Sequence, residues 1–252
     1  MNLIITYLAI LGGILGSFAN MLIHRLPKEE NIVWKRSYCP SCKHKLGILD
    51  LVPIFSYLSV LGKCRYCKKK IPIRYLLVEL LNIALILSCF YVYGFSFLFF
   101  KTYIFMFGLL IIFFTDLKEQ IVPDSISISF IILGLASAIY EKNILDSIYG
   151  LIIGFSIFFI IGFIAKLYYK KDALGFGDVK LIAAIGSFWG TKIMLLTTYF
   201  SFLIGGIIGL ILIISGLKKR TDYIPFGPSI IIAFVTILVW GNKIWNLYLN
   251  FG

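Results

Sequence analysis

Charged residues are scarce in this sequence. Only 14% of its 252 residues are Asp, Glu, Lys or Arg, whereas 60% are hydrophobic and 17% are aromatic. Soluble domains of this size carry about 25% charged residues. The composition excludes a disordered chain, a coiled coil and an ordinary water-soluble enzyme. It predicts a protein that crosses a membrane several times.

Acidic residues are the scarcer of the two signs. The chain has 12 Asp and Glu against 24 Lys and Arg, which gives a formal net charge of +12. A chain this basic raises the question of a nucleic-acid partner. In a membrane protein, however, Lys and Arg mark the loops on the cytoplasmic side. The positions of the basic residues decide between these interpretations.

Apolar runs of about 20 residues, long enough to span a bilayer, set the organisation of the chain. The first run, 3–23, has neither a basic n-region before it nor a small-residue cleavage site after it, so we expect a retained helix and not a signal peptide. The other predicted spans are 73–93, 97–115, 125–140, 145–168, 190–217 and 224–247, with a shorter run at 179–189. The predicted fold is an all-α polytopic membrane protein with about eight transmembrane helices, within a range of six to nine.

A polar block, 24–74, separates the first two spans. It holds half of the basic residues, including Lys35 and Arg36, and three acids, so the positive-inside rule places it in the cytoplasm and the N-terminus outside. Eight alternating spans then put Lys118, Lys166, Lys170, Lys171, Lys180, Lys218, Lys219 and Arg220 inside, and only Lys101, Lys142, Lys192 and Lys243 outside. The net charge is therefore explained by topology. We expect attraction to anionic lipid and no nucleic-acid partner.

Four cysteines in the polar block form two CxxC pairs, Cys39-Pro-Ser-Cys42 and Cys64-Arg-Tyr-Cys67. Two such turns can hold four thiolates around one Zn²⁺, and a block of about 50 residues has too small a core to fold without such support. Disulfides or idle thiols are the alternatives, but a reducing cytoplasm disfavours disulfides. We predict a structural zinc site. The fifth cysteine, Cys89, lies in an apolar run and is expected to be a buried small hydrophobic residue.

Two aspartates stand at the edges of apolar runs. Asp116 follows FGLLIIFFT, and Asp178 closes the motif Gly175-Phe176-Gly177-Asp178. The predicted topology puts both at the cytoplasmic side, where two carboxylates that share a proton could activate a water and polarise a peptide carbonyl. The two glycines would let the backbone pass close to a substrate.

Each aspartate also has a structural interpretation. Asp178 could be an acid that caps a helix or stabilises its first turn, and Asp116 a residue at a helix C-terminus. Asp124, in Val122-Pro123-Asp124-Ser125, is typical of a turn that begins a helix. GxGD is a weak motif when taken alone.

Taken together, the motifs resemble those of one family, the bifunctional type IV prepilin peptidases, which are leader peptidases with N-methyltransferase activity. The matching stretches are Gly16–Asn20 with Arg25–Pro27, Arg36–Cys42, Gly62–Cys67, Arg74-Tyr75 with Val78–Leu80, Asp116–Lys118 with Val122–Asp124, and Gly175–Lys180. They occur in the expected order over about residues 10–190.

The resemblance implies a GxGD-type aspartyl protease of the cytoplasmic membrane. Such an enzyme cleaves the basic leader of prepilins and pseudopilins after a Gly, on the cytoplasmic side, and then methylates the new N-terminal amine with S-adenosylmethionine. By motif position the catalytic pair is Asp116 and Asp178, and the supporting residues are Gly175, Gly177, Asp124 and Lys180. Leu76 replaces a frequent Pro and Val122 the usual Leu or Ile, and neither change touches a catalytic group.

The resemblance also divides the chain into a first transmembrane helix (1–23), a cytoplasmic four-cysteine zinc domain associated with methyl transfer (24–74) and a membrane peptidase domain (75–252). A basic leader that approaches a basic face must be steered by acids, for which the candidates are Glu29, Glu30, Asp50, Glu119 and Asp172.

The methyl-transfer site is difficult to locate in the sequence. No glycine-rich loop follows a strand, so a Rossmann-type cofactor site is not expected. Asn20, Arg25 and Glu79 lie where the polar block joins its flanking helices, and they are candidates. Glu79 could equally be a buried ion-pair partner of Arg74 or Arg25.

Other functions are compatible with parts of the sequence. A transporter could use the intramembrane acids as a proton or cation relay, but it would not explain the four cysteines. A non-catalytic assembly subunit could use the zinc domain to dock partners. A presenilin-like GxGD protease would lack the zinc block.

Overall fold

The part of the chain that the structure describes is helical. The computed structural model describes residues 2–32, 34, 37–170, 174–219 and 222–249. Its α-helices are α1 (Asn2–Arg25), α2 (Phe55–Ser59), α3 (Arg74–Tyr93), α4 (Phe97–Glu119), α5 (Asp124–Tyr140), α6 (Ile144–Tyr169), α7 (Phe176–Ile214) and α8 (Gly227–Leu249). Short 3₁₀ helices cover Leu26–Lys28 and Ile48–Leu51. The predicted all-α fold is confirmed. Lys35, Arg36, Lys171, Asp172 and Arg220, which entered the sequence argument, lie outside the described residues.

Several helices are suited to a bilayer. Five of them, α1, α3, α4, α6 and α7, are long and apolar enough to cross it. The predicted spans 125–140 and 224–247 correspond to α5 and to the apolar part of α8, Gly227–Gly241, which are shorter. The chain is therefore a multi-pass membrane protein, and the predicted count of eight spans is not confirmed.

The longest helix, α7, is broken near its middle. Gly190 has φ +76° and ψ 180°, a conformation outside the helical region, and it separates the 176–189 half from the 191–214 half. Asp146, in the first turn of α6, caps the second half: its Oδ1 accepts a hydrogen bond from the Thr191 N–H at 3.2 Å. The Thr191 hydroxyl donates to the Asp146 carbonyl, also at 3.2 Å. The break falls at the boundary between the predicted runs 179–189 and 190–217.

The chain forms two compact units, 1–114 and 115–252. In the first, α1 packs closely against α3 because glycines face the contact: a Cβ at Gly16 would lie 2.7 Å from the Glu79 Cα. Asn82 ties the helices together by donating to the Gly12 carbonyl at 2.7 Å. Cys89 is buried in a cluster with Leu8, Ile86, Phe99 and Tyr103, as predicted for a small hydrophobic residue.

In the second unit, α5, α6 and α8 surround the first half of α7. Residues 181–188 of that half are all buried. Small residues permit the close packing, since a Cβ at Gly150 would lie 2.6 Å from the Gly186 carbonyl oxygen. This enclosed half of α7 carries Asp178 in its first turn.

Candidate active site and metal centre

Asp116 lies near the C-terminal end of α4 and is buried, with 3% of its surface exposed. Its Oδ2 accepts a hydrogen bond of 3.0 Å from the Gly227 N–H. Gly227 is the first residue of α8, where main-chain amides have no partner within the helix. A free amide at a helix N-terminus stabilises negative charge, so this contact favours a carboxylate at Asp116.

Asp178 lies in the first turn of α7 and is equally buried, at 3% exposure. The Gly175 N–H, at the start of the helix, stabilises the Asp178 carboxylate, as expected for an acid in a first turn. The other oxygen, Oδ1, is buried without a hydrogen-bond partner among the described residues. The carboxylate also interacts electrostatically with that of Asp116. A capping role therefore explains only part of Asp178, and burying a carboxylate oxygen without a donor is costly, which favours a functional interpretation.

Glycines provide the space beside both carboxylates. A Cβ at Gly227 would lie 2.6 Å from the Asp116 Oδ2, and a Cβ at Gly175 would lie 3.2 Å from the Asp178 Oδ2. Gly177 is needed for packing, since a Cβ there would lie 2.7 Å from the Val122 Cβ. The two glycines of the GxGD motif thus have different functions, one beside the acid and one against the turn that leads into α5.

Tyr223, in the segment between α7 and α8, also borders this space. A Cβ at Gly175 would lie 3.3 Å from the Tyr223 hydroxyl oxygen and 3.2 Å from the Asp178 Oδ2, so both oxygens border the same space. Partial burial, together with the negative charges of Asp178 and Asp116, raises the pKa of the Tyr223 phenol to about 12. The phenol is therefore protonated at neutral pH and can donate a hydrogen bond.

Tyr223 and Gly227 were not predicted from the sequence as site residues. They belong to the stretch Tyr-Ile-Pro-Phe-Gly-Pro, residues 223–228, which interrupts the apolar runs. Two prolines around a glycine at such a break were the available signal, since they fix the entry of the chain into α8.

Asp124 and Lys180, the predicted supporting residues, are brought together. Asp124 is the first residue of α5, as the interpretation of a turn that begins a helix predicted. Its Oδ1 forms an ion pair of 2.6 Å with the Lys180 Nζ. The Lys180 ammonium also lies 4.8 Å from the centre of the Phe176 ring. These contacts tie the start of α5 to the start of α7, next to the GxGD turn, and neither group touches Asp116 or Asp178.

The four cysteines of the two CxxC pairs converge in the first unit. Their sulfur atoms all lie within 4.8 Å of one another, and the Sγ atoms of Cys39 and Cys67 are 3.9 Å apart. Four thiolates around one tetrahedral metal at about 2.3 Å would have sulfurs about 3.8 Å apart. Hydrogen bonds from the amides of Cys67 and Tyr66 lower the pKa of the Cys64 thiol to about 7, whereas burial and the neighbouring sulfurs of Cys39 and Cys67 raise the pKa of the Cys42 thiol to about 11. A bound cation would favour the thiolate form of all four cysteines. The four cysteines are therefore arranged so that they could hold one metal ion.

The two CxxC turns have the same backbone geometry. In each, the amide of the first cysteine donates to the carbonyl five residues later, and the amide four residues later donates back to that cysteine. The bonds are Cys39 N–H to His44 O (2.9 Å), Lys43 N–H to Cys39 O (2.8 Å), Cys64 N–H to Lys69 O (2.8 Å) and Lys68 N–H to Cys64 O (2.9 Å). The residue after each second cysteine has a positive φ, 58° at Lys43 and 59° at Lys68. Two copies of one knuckle thus present two sulfurs each.

A cavity of about 250 Å³ adjoins the first cysteine of each knuckle. All three candidates for methyl transfer, Asn20, Arg25 and Glu79, line it. Asn20 donates to the Tyr75 carbonyl at 2.8 Å, and its Oδ1 is a buried acceptor without a partner among the described residues. Four tyrosines contribute to the wall: Tyr38, Tyr57, Tyr66 and Tyr75.

The contacts of Glu79 and Arg25 differ from the ion pair that the sequence offered as an alternative. The Glu79 Oε2 accepts a hydrogen bond of 2.7 Å from the Ile54 N–H. Arg25 donates to the Asn31 and Ile32 carbonyls, at 3.2 Å each. The Ser17 hydroxyl is a second hydrogen-bond partner of Glu79. Within the described ranges, Glu79 therefore pairs with a main-chain amide and a hydroxyl, and not with Arg74 or Arg25.

Two of the acids proposed to steer a basic leader have local ion-pair partners. Asp50 pairs with the Arg65 Nε at 3.3 Å, and Glu119 pairs with Lys118. Asp172 is outside the described ranges. Their steering role stays a prediction.

The fold and the site define a class of protein. It is a multi-pass helical membrane protein with two buried carboxylates and four cysteines that could hold a metal ion. Comparison with known proteins is more specific. Residues 10–93 match the family described as "Bacterial Peptidase A24 N-terminal domain", and residues 103–210 match the "Type IV leader peptidase family". No solved structure matches the chain.

Similar proteins are named "Prepilin leader peptidase/N-methyltransferase" in several bacteria. The relative in Pseudomonas aeruginosa is 32% identical and aligns over 96% of this chain and 92% of its own length. Those in Vibrio cholerae (34% identical, 89% of this chain and 92% of the relative) and Xanthomonas campestris (30%, 96% and 93%) are comparable. The chain belongs to the type IV leader peptidase family. The comparisons give no support to a transporter.

Proposed function

We propose that this chain is an enzyme of the cytoplasmic membrane that removes the leader of type IV prepilins or pseudopilins and methylates the new N-terminus. Its relatives bear the corresponding name, over nearly the whole of this chain. The observation that carries the proposal is the pair of buried carboxylates, Asp116 and Asp178, each packed against a glycine. An aspartyl protease needs these elements.

In the proposed hydrolysis the two acids have different roles. The Gly227 amide favours the ionised form of Asp116, so Asp116 takes a proton from the attacking water. Asp178, whose Oδ1 has no donor among the described residues, holds the shared proton on that oxygen and donates a hydrogen bond to the carbonyl oxygen. When the tetrahedral intermediate collapses, the proton on Asp116 passes to the leaving amine. That amine is the new N-terminus of the pilin.

Tyr223 is proposed to assist this step. Its phenol borders the same space as the Asp178 Oδ2 and stays protonated at neutral pH, so it can donate to the substrate carbonyl or to the oxyanion that forms from it. Asp124 and Lys180 are proposed as positioning residues that hold the GxGD turn.

The four cysteines are proposed to bind one structural Zn²⁺. Four sulfur ligands leave no coordination position for water, so the metal stabilises the knuckles and takes no part in the chemistry. The knuckles in turn form part of the wall of the cavity.

The cavity is proposed to hold S-adenosylmethionine, which supplies a methyl group carried on a sulfonium. The residues fit such a ligand: the buried Asn20 Oδ1 offers an acceptor, Glu79 offers negative charge near a cation, and the tyrosines offer aromatic faces. Arg25 would pair with the carboxylate of the ligand. Together these residues would bind and orient the methyl donor.

The positive-inside distribution supports an orientation with the N-terminus outside and with the zinc knuckles and both aspartates on the cytoplasmic side. The prepilin leader, which is itself basic, would be cut on that side. Reporter fusions at the helix ends test the orientation.

The central experiment is a cleavage assay with purified enzyme and a prepilin, with and without S-adenosylmethionine. We expect the pilin to shorten by its leader, and its N-terminus to gain one methyl group only when the donor is present, as measured by mass spectrometry. Asn20→Ala should lose methylation and keep cleavage. Normal cleavage by Asp116→Asn and Asp178→Asn variants would contradict the assignment of the pair.

A further inference from the structure

An uncharged stretch lies hidden within the basic block. Residues 51–62, LVPIFSYLSVLG, contain no Asp, Glu, Lys or Arg, although Asp50 precedes them and Lys63 follows. Their apolar side chains are not collected into a core: Phe55 is 73% exposed, Leu58 is 55% exposed and Leu61 is 87% exposed. Three apolar side chains this exposed would be unfavourable in water, because removing apolar surface from water is favourable.

The stretch reaches deep along the first membrane helix. A Cβ at Gly13 would lie 3.1 Å from the Pro53 Cβ, so Pro53 packs directly on the middle of α1. Gly13 precedes the end of α1 at Arg25 by twelve residues, which corresponds to about 18 Å along a helix. Half of the hydrocarbon core of a bilayer is about 15 Å thick.

A second contact places the same turn against α3. The Ile54 N–H donates to the Glu79 Oε2 at 2.7 Å, and Glu79 lies five residues inside α3. Ile54 has φ +63°, an unfavourable conformation for a β-branched residue, so its position is imposed by these surroundings.

Main-chain hydrogen bonds within the stretch close its turns. They include Phe55 N–H to Pro53 O, Ser56 N–H to Val52 O, Leu58 N–H to Ile54 O, Leu61 N–H to Leu58 O and Gly62 N–H to Tyr57 O. At membrane depth, irregular backbone is tolerated only when its polar groups are paired in this way. The Glu79 carboxylate accepts the hydrogen bond of the Ile54 N–H, which has no acceptor among the described residues of the turn.

Polar contacts connect the residues that flank the two ends of the stretch. Asp50 pairs with Arg65 at 3.3 Å and accepts a hydrogen bond of 3.3 Å from the Tyr66 hydroxyl. The charged ends of the stretch are thus held together, as expected for a loop that enters and returns on one side.

We propose that residues 51–62 form a re-entrant segment whose Phe55, Leu58 and Leu61 side chains face the acyl chains of the bilayer, anchored at its tip by Pro53 on α1 and by Glu79 on α3. The segment also supplies Leu51, Ser56, Tyr57 and Val60 to the cavity wall. The cavity therefore lies at the membrane surface. If the proposed function holds, this is where the amine of a membrane-embedded pilin becomes available.

Photocrosslinking in lipid nanodiscs tests the segment without reference to activity. Benzoylphenylalanine replaces Phe55, Leu58 or Leu61 in the full chain, with Lys45 (exposed, next to the first knuckle and outside the cavity wall) as the aqueous control and Phe163 (56% exposed, on α6) as the lipid-facing control. We expect lipid adducts, measured by mass spectrometry, at 55, 58 and 61 in amounts similar to 163, and only background at 45. Adducts at 55, 58 and 61 no higher than at 45, with normal labelling at 163, would overturn the proposal.

Variants of Glu79 test the anchor. Glu79→Leu removes the acceptor of the Ile54 amide, whereas Glu79→Gln keeps an oxygen there. We expect Glu79→Leu to lower lipid labelling at 58 and to speed amide exchange over residues 52–61, and Glu79→Gln to preserve both. Equal labelling and exchange in the two variants would exclude the anchoring role. Because neither readout depends on cleavage or methylation, the segment and the proposed function can fail separately.

Discussion

The Gly227→Ala variant tests the geometry of the carboxylate pair with a single methyl group. The substitution keeps the main-chain N–H that donates to Asp116, so it changes the space beside the acid and not the hydrogen bond. The new Cβ would lie 2.6 Å from the Asp116 Oδ2, whereas ordinary contact begins at 3.4 Å. The carboxylate must therefore move by about 0.8 Å, and a misplacement on the order of 1 Å lowers a rate about a hundredfold.

The measurement is the initial rate of prepilin cleavage in detergent or nanodiscs, with methylation of an already cleaved pilin measured on the same sample. We expect cleavage to fall about a hundredfold and methylation to be unchanged. Gly206→Ala is the matched control, because nothing lies within 4 Å of a Cβ at that glycine. Thermal unfolding of both variants checks that they fold. Wild-type cleavage by Gly227→Ala would refute the placement of Asp116 at the reacting atoms.

Substitutions at four other positions probe the two sites. Asp178→Asn should lower cleavage by about 10²- to 10⁴-fold and leave methylation of a pre-cleaved pilin intact. Tyr223→Phe should lower the cleavage rate by roughly 10- to 100-fold, the cost of one hydrogen bond to a charged group. That deficit should be the same at neutral and mildly alkaline pH, because the phenol's pKa of about 12 keeps it protonated in both. Cys64→Ser should reduce bound metal well below one per chain and speed amide exchange in both knuckles. Lys180→Met should destabilise the protein by less than about 1 kcal/mol, since its partner Asp124 is 61% exposed.

Each of these has an outcome that would contradict it. Normal cleavage by Asp178→Asn removes that acid from the chemistry. Wild-type cleavage by Tyr223→Phe at neutral pH would show that the phenol does not act as a donor, and a deficit that disappears at mildly alkaline pH would show that its pKa is not raised. Full metal content in Cys64→Ser would show that the four thiols are not one site. A large loss of stability in Lys180→Met would show that its ion pair is stronger than its exposure implies.

Much of the site was predictable because its chemistry lies in side chains at the edges of apolar runs. Asp116, Asp178 and the four cysteines stand out in a sequence with so few polar groups. The pairing of Asp124 with Lys180 and the convergence of Asn20, Arg25 and Glu79 on one cavity could not be predicted, because both depend on packing between helices. Glu79 illustrates the limit: the sequence suggested an ion pair, and its partner is a main-chain amide.

Two features were missed for other physical reasons. Gly227 acts through its main-chain N–H and through its lack of a side chain, and neither property can be recognised from the amino-acid composition. The stretch 51–62 was overlooked because the average charge of the whole block is high, although the stretch itself has none. A shorter averaging window would have separated it from the lysines on its C-terminal side.

The break at Gly190 determines which parts of α7 are free to vary. An unbroken helix of its 39 residues would be about 58 Å long, almost twice the thickness of the hydrocarbon layer. The 176–189 half is too short to span the bilayer and is enclosed by protein, whereas the 191–214 half exposes Tyr199, Ile207 and Ile214. Random substitutions should therefore be accepted unevenly along one helix. The exposed face of the second half needs only to remain apolar, whereas its buried Met194, Thr197 and Ser201 and the first half around Asp178 must keep the shape of each side chain.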